Sequence, residues 1–168
     1  MPCFTDIDSP IGLLRLVAED GALIQLRLQP APRSAALSQG WCEEAAVAPL
    51  PQVAAQLGEY FAGKRREFAV PLQLAGSGFQ RQVWAALCAI PYGETRGYGQ
   101  IATLVGSPGG SRAVGLANHQ NPIPIIVPCH RVINADGSLG GFGGGVRRKQ
   151  WLLQHEGAPA GAQQSLAL

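Results

Sequence analysis

Apolar and polar residues alternate along two short stretches close to the N-terminus. One alternation covers 14–19, Asp20-Gly21 interrupts it, and a second covers 24–28. A period of two is typical of strands with one buried face, and Asp-Gly is a favoured hairpin turn. The pattern therefore predicts a β-hairpin over residues 12–28.

Other stretches carry apolar residues three and four positions apart, which is the spacing of one helix face. This spacing predicts helices over 50–62, 79–87 and 146–156. The Pro-, Ala- and Ser-rich stretch 30–49 is predicted to be a loop, and 67–72 is predicted to add a strand.

Two short helical stretches lie on either side of a glycine-rich break. Apolar residues are spaced helically over 98–105, GSPGG at 106–110 breaks the pattern, and Ser111 is a suitable N-cap for a helix over 112–118. Two short helices joined in this way are typical of a helix-turn-helix.

The segment 73–78 (QLAGSG) has the composition of a linker. It divides the chain into an N-terminal domain, 1–76, a C-terminal domain, 77–157, and an Ala- and Gln-rich tail, 158–168, that is expected to be disordered. The expected fold class is α/β (α+β). A small N-terminal α/β domain with antiparallel strands would be followed by a mostly helical, winged-helix-like domain that contains the helix-turn-helix.

Composition and charge narrow the functional classes. The 168 residues are 46% hydrophobic, which is ample for a buried core. No apolar run approaches the ~20 residues of a membrane span and no signal-peptide pattern is present, so we expect a cytoplasmic protein without membrane association. Residues 1–78 hold six basic and eight acidic side chains, whereas 79–168 hold seven basic and three acidic ones. The second half is therefore better suited to an anionic partner.

Four cysteines, Cys3, Cys42, Cys88 and Cys129, are spread along the chain with no close pairing in sequence. In a cytoplasmic protein they are expected to be free thiols rather than disulfides. The chain has no Cys-x-x-Cys motif, and its histidines all lie in the second half, so no metal site is expected.

Cys129 and His130 stand side by side at the end of an apolar run that contains three prolines. Pro128 restricts the backbone that leads to the cysteine, so the thiol is presented in few conformations. A thiolate is a strong nucleophile, and a histidine within reach can take the proton. Neighbouring residues in a strand point to opposite faces, so the two would cooperate across a turn or through a bridging water, and we favour the water.

Six ordered motifs resemble the methylated-DNA protein-cysteine methyltransferases, also called O6-alkylguanine-DNA alkyltransferases. They are FQRQVW at 79–84, PYGET at 91–95, SRAVG at 111–115, NPIPI at 121–125, PCHRV at 128–132, and WLL at 151–153 before HEG at 155–157. The resemblance is close over residues 79–157. The N-terminal part matches in size and in its β-rich start.

The resemblance implies a DNA repair protein that takes the alkyl group from O6 of guanine, and less readily from O4 of thymine, onto its own cysteine. The thioether product has no good leaving group, so each molecule would act once. No cofactor is implied, because the substrate supplies the alkyl group and the protein supplies the nucleophile.

The resemblance also implies roles for five catalytic residues. Cys129 would be the alkyl acceptor, and His130 would take its proton through a water. Glu156 would orient the imidazole and stabilise its charge, as in a catalytic triad. Asn121 would fix the turn that presents the cysteine, and Tyr98 would donate to the oxygen of the leaving guanine.

A substrate pocket is implied around a glycine-rich loop. Its residues would be Lys149, Phe142, Gly143, Gly144 and Val127. Lys149 would act near the same guanine oxygen. Phe142 stands where a tyrosine is common and Gly143 where some members have serine, and so much glycine would leave a mobile, roomy loop. The alkyl-size preference stays open, and bulkier groups are one alternative.

The implied partner is double-stranded DNA, bound in the minor groove with little sequence preference. The implied DNA-binding residues are Ser111, Arg112, Ala113, Gly115, Ala117 and Tyr98. The damaged nucleotide would be flipped out, and Arg112 would fill the gap that it leaves in the stack. We expect a monomer in solution, and cooperative binding along DNA stays open.

Three other functions stay open. A non-enzymatic damage sensor of the same fold would lack the cysteine. A transcription factor would carry longer polar side chains on the second helix to read base edges. A cysteine hydrolase would need an oxyanion hole and would turn over.

Overall fold

The computed structural model describes residues 1–159. The chain divides into two compact units, Met1–Leu74 and Ala75–Leu168. Nearly all of the tail that was expected to be disordered, 158–168, lies outside the described residues. Over the described range, no helix combines the length and apolar character needed to cross a membrane.

A four-stranded sheet forms the base of the first unit. Its strands are β1 (Cys3–Ile7), β2 (Leu14–Glu19), β3 (Ala22–Leu28) and β4 (Cys42–Glu43), in the spatial order β3-β2-β1-β4. β2 pairs antiparallel with β1 and β3, whereas β4 pairs parallel with β1. The predicted hairpin is confirmed, and its turn residues Asp20 and Gly21 both have positive φ, as a tight turn between twisted strands requires.

Two helices pack on this sheet. α2 (Leu50–Phe61) confirms the predicted helix, and its residues Val53, Leu57 and Tyr60 are buried at helical spacing. The prediction of a loop over 30–49 is partly wrong, because this stretch contains α1 (Arg33–Ser38) and β4. Ala36 of α1 packs against the sheet residues Phe4 and Val17. Alanine favours the helix, and burial of Ala36 against the sheet stabilises α1 in a stretch whose Pro- and Ser-rich composition is typical of a loop.

The strand predicted over 67–72 is wrong except for one bridge, between Leu72 and Leu23. Pro71 has no N–H to donate to a ladder. In addition, the side chain of Gln56 binds both backbone groups of Ala69: its Oε1 accepts from the amide at 2.9 Å, and its Nε2 donates to the carbonyl at 3.2 Å. A side chain thus takes the place of a neighbouring strand.

The second unit is mostly helical. Its elements are α3 (Gly78–Cys88), β5 (Arg96–Gly97), α4 (Tyr98–Leu104), α5 (Ser111–His119), a 3₁₀ turn (Cys129–Arg131), β6 (Val132–Ile133) and α6 (Val146–His155). α3, α4 and α5 pack against one another, and Trp84 is buried among them with its Nε1 donating to the carbonyl of Ala117 at 2.9 Å. The expected fold class, an N-terminal sheet followed by a helical C-terminal part, is confirmed.

α4 and α5 form the predicted helix-turn-helix, but α5 begins one residue earlier than expected. Its N-cap is Gly110, whose carbonyl accepts from the amide of Val114 at 2.9 Å. Ser111, which was predicted to be the N-cap, is the first helical residue and makes no capping bond with its side chain. The amide of Gly110 donates to the carbonyl of Ser107 at 2.8 Å, and this turn sets the start of the helix.

Candidate active site

Asn121 ties together the loop that leads to Cys129. Its Nδ2 donates to the carbonyl of Val127 at 2.8 Å, and its Oδ1 accepts from the amide of Ile123 at 2.9 Å. Ile125, in the same loop, has a φ of 75°, which is rare for a β-branched residue and persists only where the surroundings hold it. The cysteine therefore follows a loop with little freedom.

Cys129 begins the 3₁₀ turn and is only 4% exposed. Burial raises the pKa of its thiol to about 11, while a hydrogen bond from Asn121 and the positive charge of Lys149 act in the opposite direction. The thiol is therefore protonated at neutral pH and needs a base before it can act as a nucleophile.

His130 is the base that the geometry offers. It is fully buried, and its Nε2 lies 2.7 Å from Oε2 of Glu156. Burial alone would raise the pKa of Glu156, but the bonds with His130 and Arg131 hold that pKa well below its usual range. An ionised carboxylate can only accept, so Nε2 carries the proton and Nδ1 keeps a lone pair. Nδ1 is buried and has no hydrogen-bond partner among residues 1–159, so it can receive the thiol proton.

Arg131 is the third member of a buried cluster with His130 and Glu156, and the sequence had given it no predicted role. Its Nε and Nη2 donate to the two oxygens of Glu156, at 2.8 and 3.1 Å, and its Nη1 donates to the carbonyl of Ile90 at 2.7 Å. The forked pair holds the carboxylate at the C-terminal end of α6, where the helix dipole disfavours negative charge. The sequence did contain a signal for this arginine. Glu156 lies at the C-terminal end of a predicted helix, and a carboxylate buried there needs a cation as partner.

The pH dependence of stability should report on this group. Burial lowers the pKa of His130, and the pKa of Glu156 is also lowered, so below the unfolded values of 6.5 and 4.5 the unfolded chain binds more protons than the folded one. We expect the contribution of His130 and Glu156 to the free energy of unfolding to be fully present near neutral pH and to be lost as the pH drops through these values. Denaturant titration at a series of pH values measures it.

His130→Gln should flatten the part of this profile between about pH 7 and pH 5, because it removes the group that titrates there. An unchanged slope in His130→Gln would show that the imidazole titrates alike in the folded and unfolded chains.

Lys149 and Tyr98 lie together beside the glycine-rich loop. Lys149 is fully buried, and its Nζ donates to the carbonyls of Leu139 at 2.5 Å and Gly141 at 3.1 Å. Burial lowers its pKa to about 8, and Nζ lies 5.8 Å from the centroid of the Tyr98 ring. Burial, and then the neighbouring Cys129, raise the pKa of Tyr98, so its hydroxyl remains a donor at neutral pH.

A cavity of about 170 Å³ opens next to Tyr98. Its other lining residues come from α5 and from the glycine-rich loop: Gly115, Asn118, His119, Gly141, Phe142 and Gly143. The structure thus places Phe142 and Gly143, two of the predicted pocket residues, at a cavity. Lys149, Gly144 and Val127, which were predicted with them, are buried and are not among these lining residues.

Asn118 and His119 are lining residues that the sequence analysis did not assign to the site. They follow Gly115 by three and four positions, so all three lie on one helix face. This spacing is the feature from which the sequence could have assigned Asn118 and His119 to the site. Asn118 also donates from Nδ2 to the carbonyl of Cys129 at 3.2 Å, while its buried Oδ1 has no partner within the described part of the chain. It therefore connects the cavity to the backbone of the cysteine.

The predicted DNA-binding residues of α5 lie on different faces. Ser111, Arg112 and Ala113 are exposed and Gly115 is half-buried. Ala117, by contrast, is only 2% exposed and lies in the core beside Trp84. The exposed residues of the helix are therefore Ser111, Arg112 and Ala113 at its start, and Leu116 and His119 further along.

Comparison with known families decides what this arrangement belongs to. The model of the 6-O-methylguanine DNA methyltransferase DNA-binding domain matches residues 78–158, and that of the ribonuclease-like domain of the same enzymes matches residues 4–74. The chain belongs to the 6-O-methylguanine DNA methyltransferase family. The resemblance found in the sequence is confirmed, and the cavity lies within the DNA-binding-domain match.

Relatives of this methyltransferase family match over nearly the whole chain. The methylated-DNA–protein-cysteine methyltransferase of Mycolicibacterium paratuberculosis is 52% identical over 153 residues, which cover 91% of each chain. The enzyme of the same name from Mycobacterium tuberculosis is 48% identical over 163 residues, 97% of each chain. A crystal structure of Mycobacterium tuberculosis OGT in complex with DNA has a TM-score of 0.83 and 50% identity, and covers 95% of this chain and 96% of that one.

Proposed function

We infer that this protein is a DNA repair methyltransferase that transfers the alkyl group of O6-alkylguanine in DNA to Cys129. The observation that carries this inference is the buried pair of His130 and Glu156 directly after Cys129 in the chain: the imidazole Nδ1, which has no partner among residues 1–159, is the base that a protonated thiol requires. The family assignment supplies the substrate class, since its members carry the name of this reaction.

The transfer is a displacement at the alkyl carbon. His130 Nδ1 takes the thiol proton through a bridging water, the sulfur forms a bond to the carbon, and the bond from that carbon to O6 breaks with its electron pair passing to the oxygen. The Tyr98 hydroxyl donates to this oxygen as charge develops on it. Lys149 holds the loop that faces Tyr98 and lowers the energy of the thiolate by its charge.

The product is a thioether, and a thioether has no good leaving group. Each chain therefore acts once, without a cofactor. O4-alkylthymine presents the same alkyl–oxygen bond and is a slower substrate in this proposal, because a pyrimidine fills less of the cavity and makes fewer contacts with Phe142.

The same helix is proposed to bind DNA and to admit the base. Ser111, Arg112 and Ala113 are exposed on the first turn of α5, and Gly115, one turn further, lines the cavity. Small side chains let the backbone of α5 approach the minor groove, with Arg112 filling the gap left by the flipped nucleotide. Contacts of this kind read groove shape and phosphates, so little sequence preference is expected.

One copy of the chain is sufficient for this chemistry. The side chains proposed to act all come from residues 98–156, so we propose a monomer as the active form. A DNA substrate also favours the cytoplasm as the place of action.

Intact-mass spectrometry tests the proposal directly. After incubation with excess duplex that contains O6-methylguanine, we expect each chain to gain ~14 Da, on Cys129, and one guanine to be restored per chain. Binding without a mass gain would indicate a damage sensor. Restoration of more than one guanine per chain would indicate a turning-over enzyme, and either result would reject the proposed mechanism.

A further inference from the structure

Cys3 and Cys42 are directly paired residues on two neighbouring parallel strands. The register of β1 and β4 sets Cys3 opposite Cys42, and the amide of Cys42 donates to the carbonyl of Pro2 at 2.9 Å. The next bond of the ladder, from the amide of Glu44 to the carbonyl of Phe4 at 3.1 Å, confirms the register on the other side. Side chains of paired residues lie on the same face of a sheet, so the two thiols are neighbours.

The two thiols are in contact with each other. Burial raises the pKa of Cys3, and a hydrogen bond with Cys42 raises it further. Both residues are partly exposed, so small reagents can reach them. These thiols are close, accessible and unbonded, although they are far apart in sequence.

The backbone geometry already suits a covalent link. Neighbouring strands lie about 4.7–4.9 Å apart, so paired Cα atoms have about that separation. Disulfides bridge Cα atoms that are about 4.4–6.8 Å apart. A bond between Cys3 and Cys42 would therefore need side-chain rotation and no displacement of the strands.

We propose that Cys3 and Cys42 form a reversible disulfide by exchange with small disulfides. The thiolate of one cysteine attacks a sulfur of the small disulfide, which forms a mixed disulfide and releases one small thiol. The thiolate of the second cysteine then attacks the protein-bound sulfur, which closes the Cys3–Cys42 bond and releases the second small thiol. The protein loses two hydrogens, and one small disulfide is reduced to two thiols.

The other two cysteines should behave differently. Cys129 is 4% exposed and its thiol is held protonated, so it is protected from exchange. Cys88 is exposed, but none of the other cysteines is paired with it in the described chain, so its exchange would stop at a mixed disulfide. The oxidisable pair in the first unit is thus separate from the alkyl acceptor, and the proposal does not depend on alkyl transfer.

The bond would fasten β4, a strand of two residues, to the first strand of the chain. It would close a loop that contains β2, β3 and α1. Such a link restricts the unfolded chain, so the oxidised protein should unfold at a higher temperature than the reduced one.

Exchange with oxidised glutathione, at about pH 8 where thiolates are more abundant, tests the proposal on the full chain. We expect an intact mass ~2 Da lower apart from any glutathione on Cys88, a peptide that joins Cys3 to Cys42, and an unmodified Cys129. Cys42→Ser should instead carry glutathione on Cys3 and show no rise in unfolding temperature. Cys88→Ser, the matched control, should still form the cross-link.

Circular dichroism of each variant shows whether it still folds, which separates loss of the bond from loss of the fold. The reciprocal variant Cys3→Ser makes the same test from the other strand. Wild-type protein with glutathione on both Cys3 and Cys42 and no cross-link would overturn the proposal. A cross-link that involves Cys88 or Cys129 would overturn it equally.

Discussion

Cys129→Ala is expected to abolish alkyl transfer while the variant still binds DNA with unchanged affinity. The substitution removes the sulfur that accepts the carbon, but Cys129 is 4% exposed and lies outside the exposed start of α5. No mass gain should appear after incubation with duplex that contains O6-methylguanine, and gel-shift titration should give the wild-type affinity.

The exposed Cys88 offers a matched control for this result. Cys88→Ala removes a thiol of the same kind from the same unit and should keep a full gain of one alkyl group per chain. If Cys129→Ala still gained an alkyl group, another cysteine would be the acceptor and the proposed site would be incorrect. Loss of transfer in both variants would point to a general effect on the fold.

Glu156→Gln is expected to slow alkyl transfer by about 10²–10⁴-fold, the usual contribution of general-base catalysis. Glutamine can turn its amide N–H₂ towards His130, which would move the imidazole proton to Nδ1 and remove the lone pair that accepts the thiol proton. It also removes the negative charge that stabilises the protonated imidazole. Single-turnover kinetics with an O6-methylguanine duplex measures this effect.

The same substitution should also destabilise the protein. Arg131 donates two bonds to Glu156, and loss of one partner of a buried ion pair typically costs about 3–5 kcal/mol. The rate should therefore be compared below the unfolding temperature of the variant, with folding checked by circular dichroism.

Glu94 provides the control for Glu156. Its side chain is 53% exposed and pairs with Arg96 at 3.2 Å on the surface, where such pairs contribute little. Glu94→Gln should keep both the transfer rate and the stability. A wild-type rate in Glu156→Gln would remove the carboxylate from the mechanism and leave His130 acting alone.

Elements that depend on neighbours in the sequence were predicted well. The hairpin around Asp20-Gly21 depends on turn chemistry and alternation, and α2 depends on the spacing of its apolar residues. Predictions failed where a distant side chain decided the outcome. Gln56 satisfies the backbone of Ala69 and so replaces a strand, and the burial of Ala36 makes a helix within a loop-like stretch.

In the candidate site, too, local features were predictable from the sequence and contacts between distant residues were not. Cys129 and His130 are adjacent in the chain, so the motif alone indicated a nucleophile and its base. The resemblance added Glu156, but not the arginine that holds it. The hydrogen-bond partners of Arg131 and Asn118 could not be identified from a single sequence, because they lie 25 and 11 residues away.

By itself, the sequence determined which reacting groups are present: a proline-braced thiol beside an imidazole, and a helix-turn-helix with small residues on its second helix. Only the tertiary structure decided their protonation states and their burial. Burial keeps the Cys129 thiol protonated, and the ionised Glu156 directs the imidazole proton to Nε2. Both effects arise from desolvation and from partners brought together by folding, and neither is encoded in residue type or local spacing.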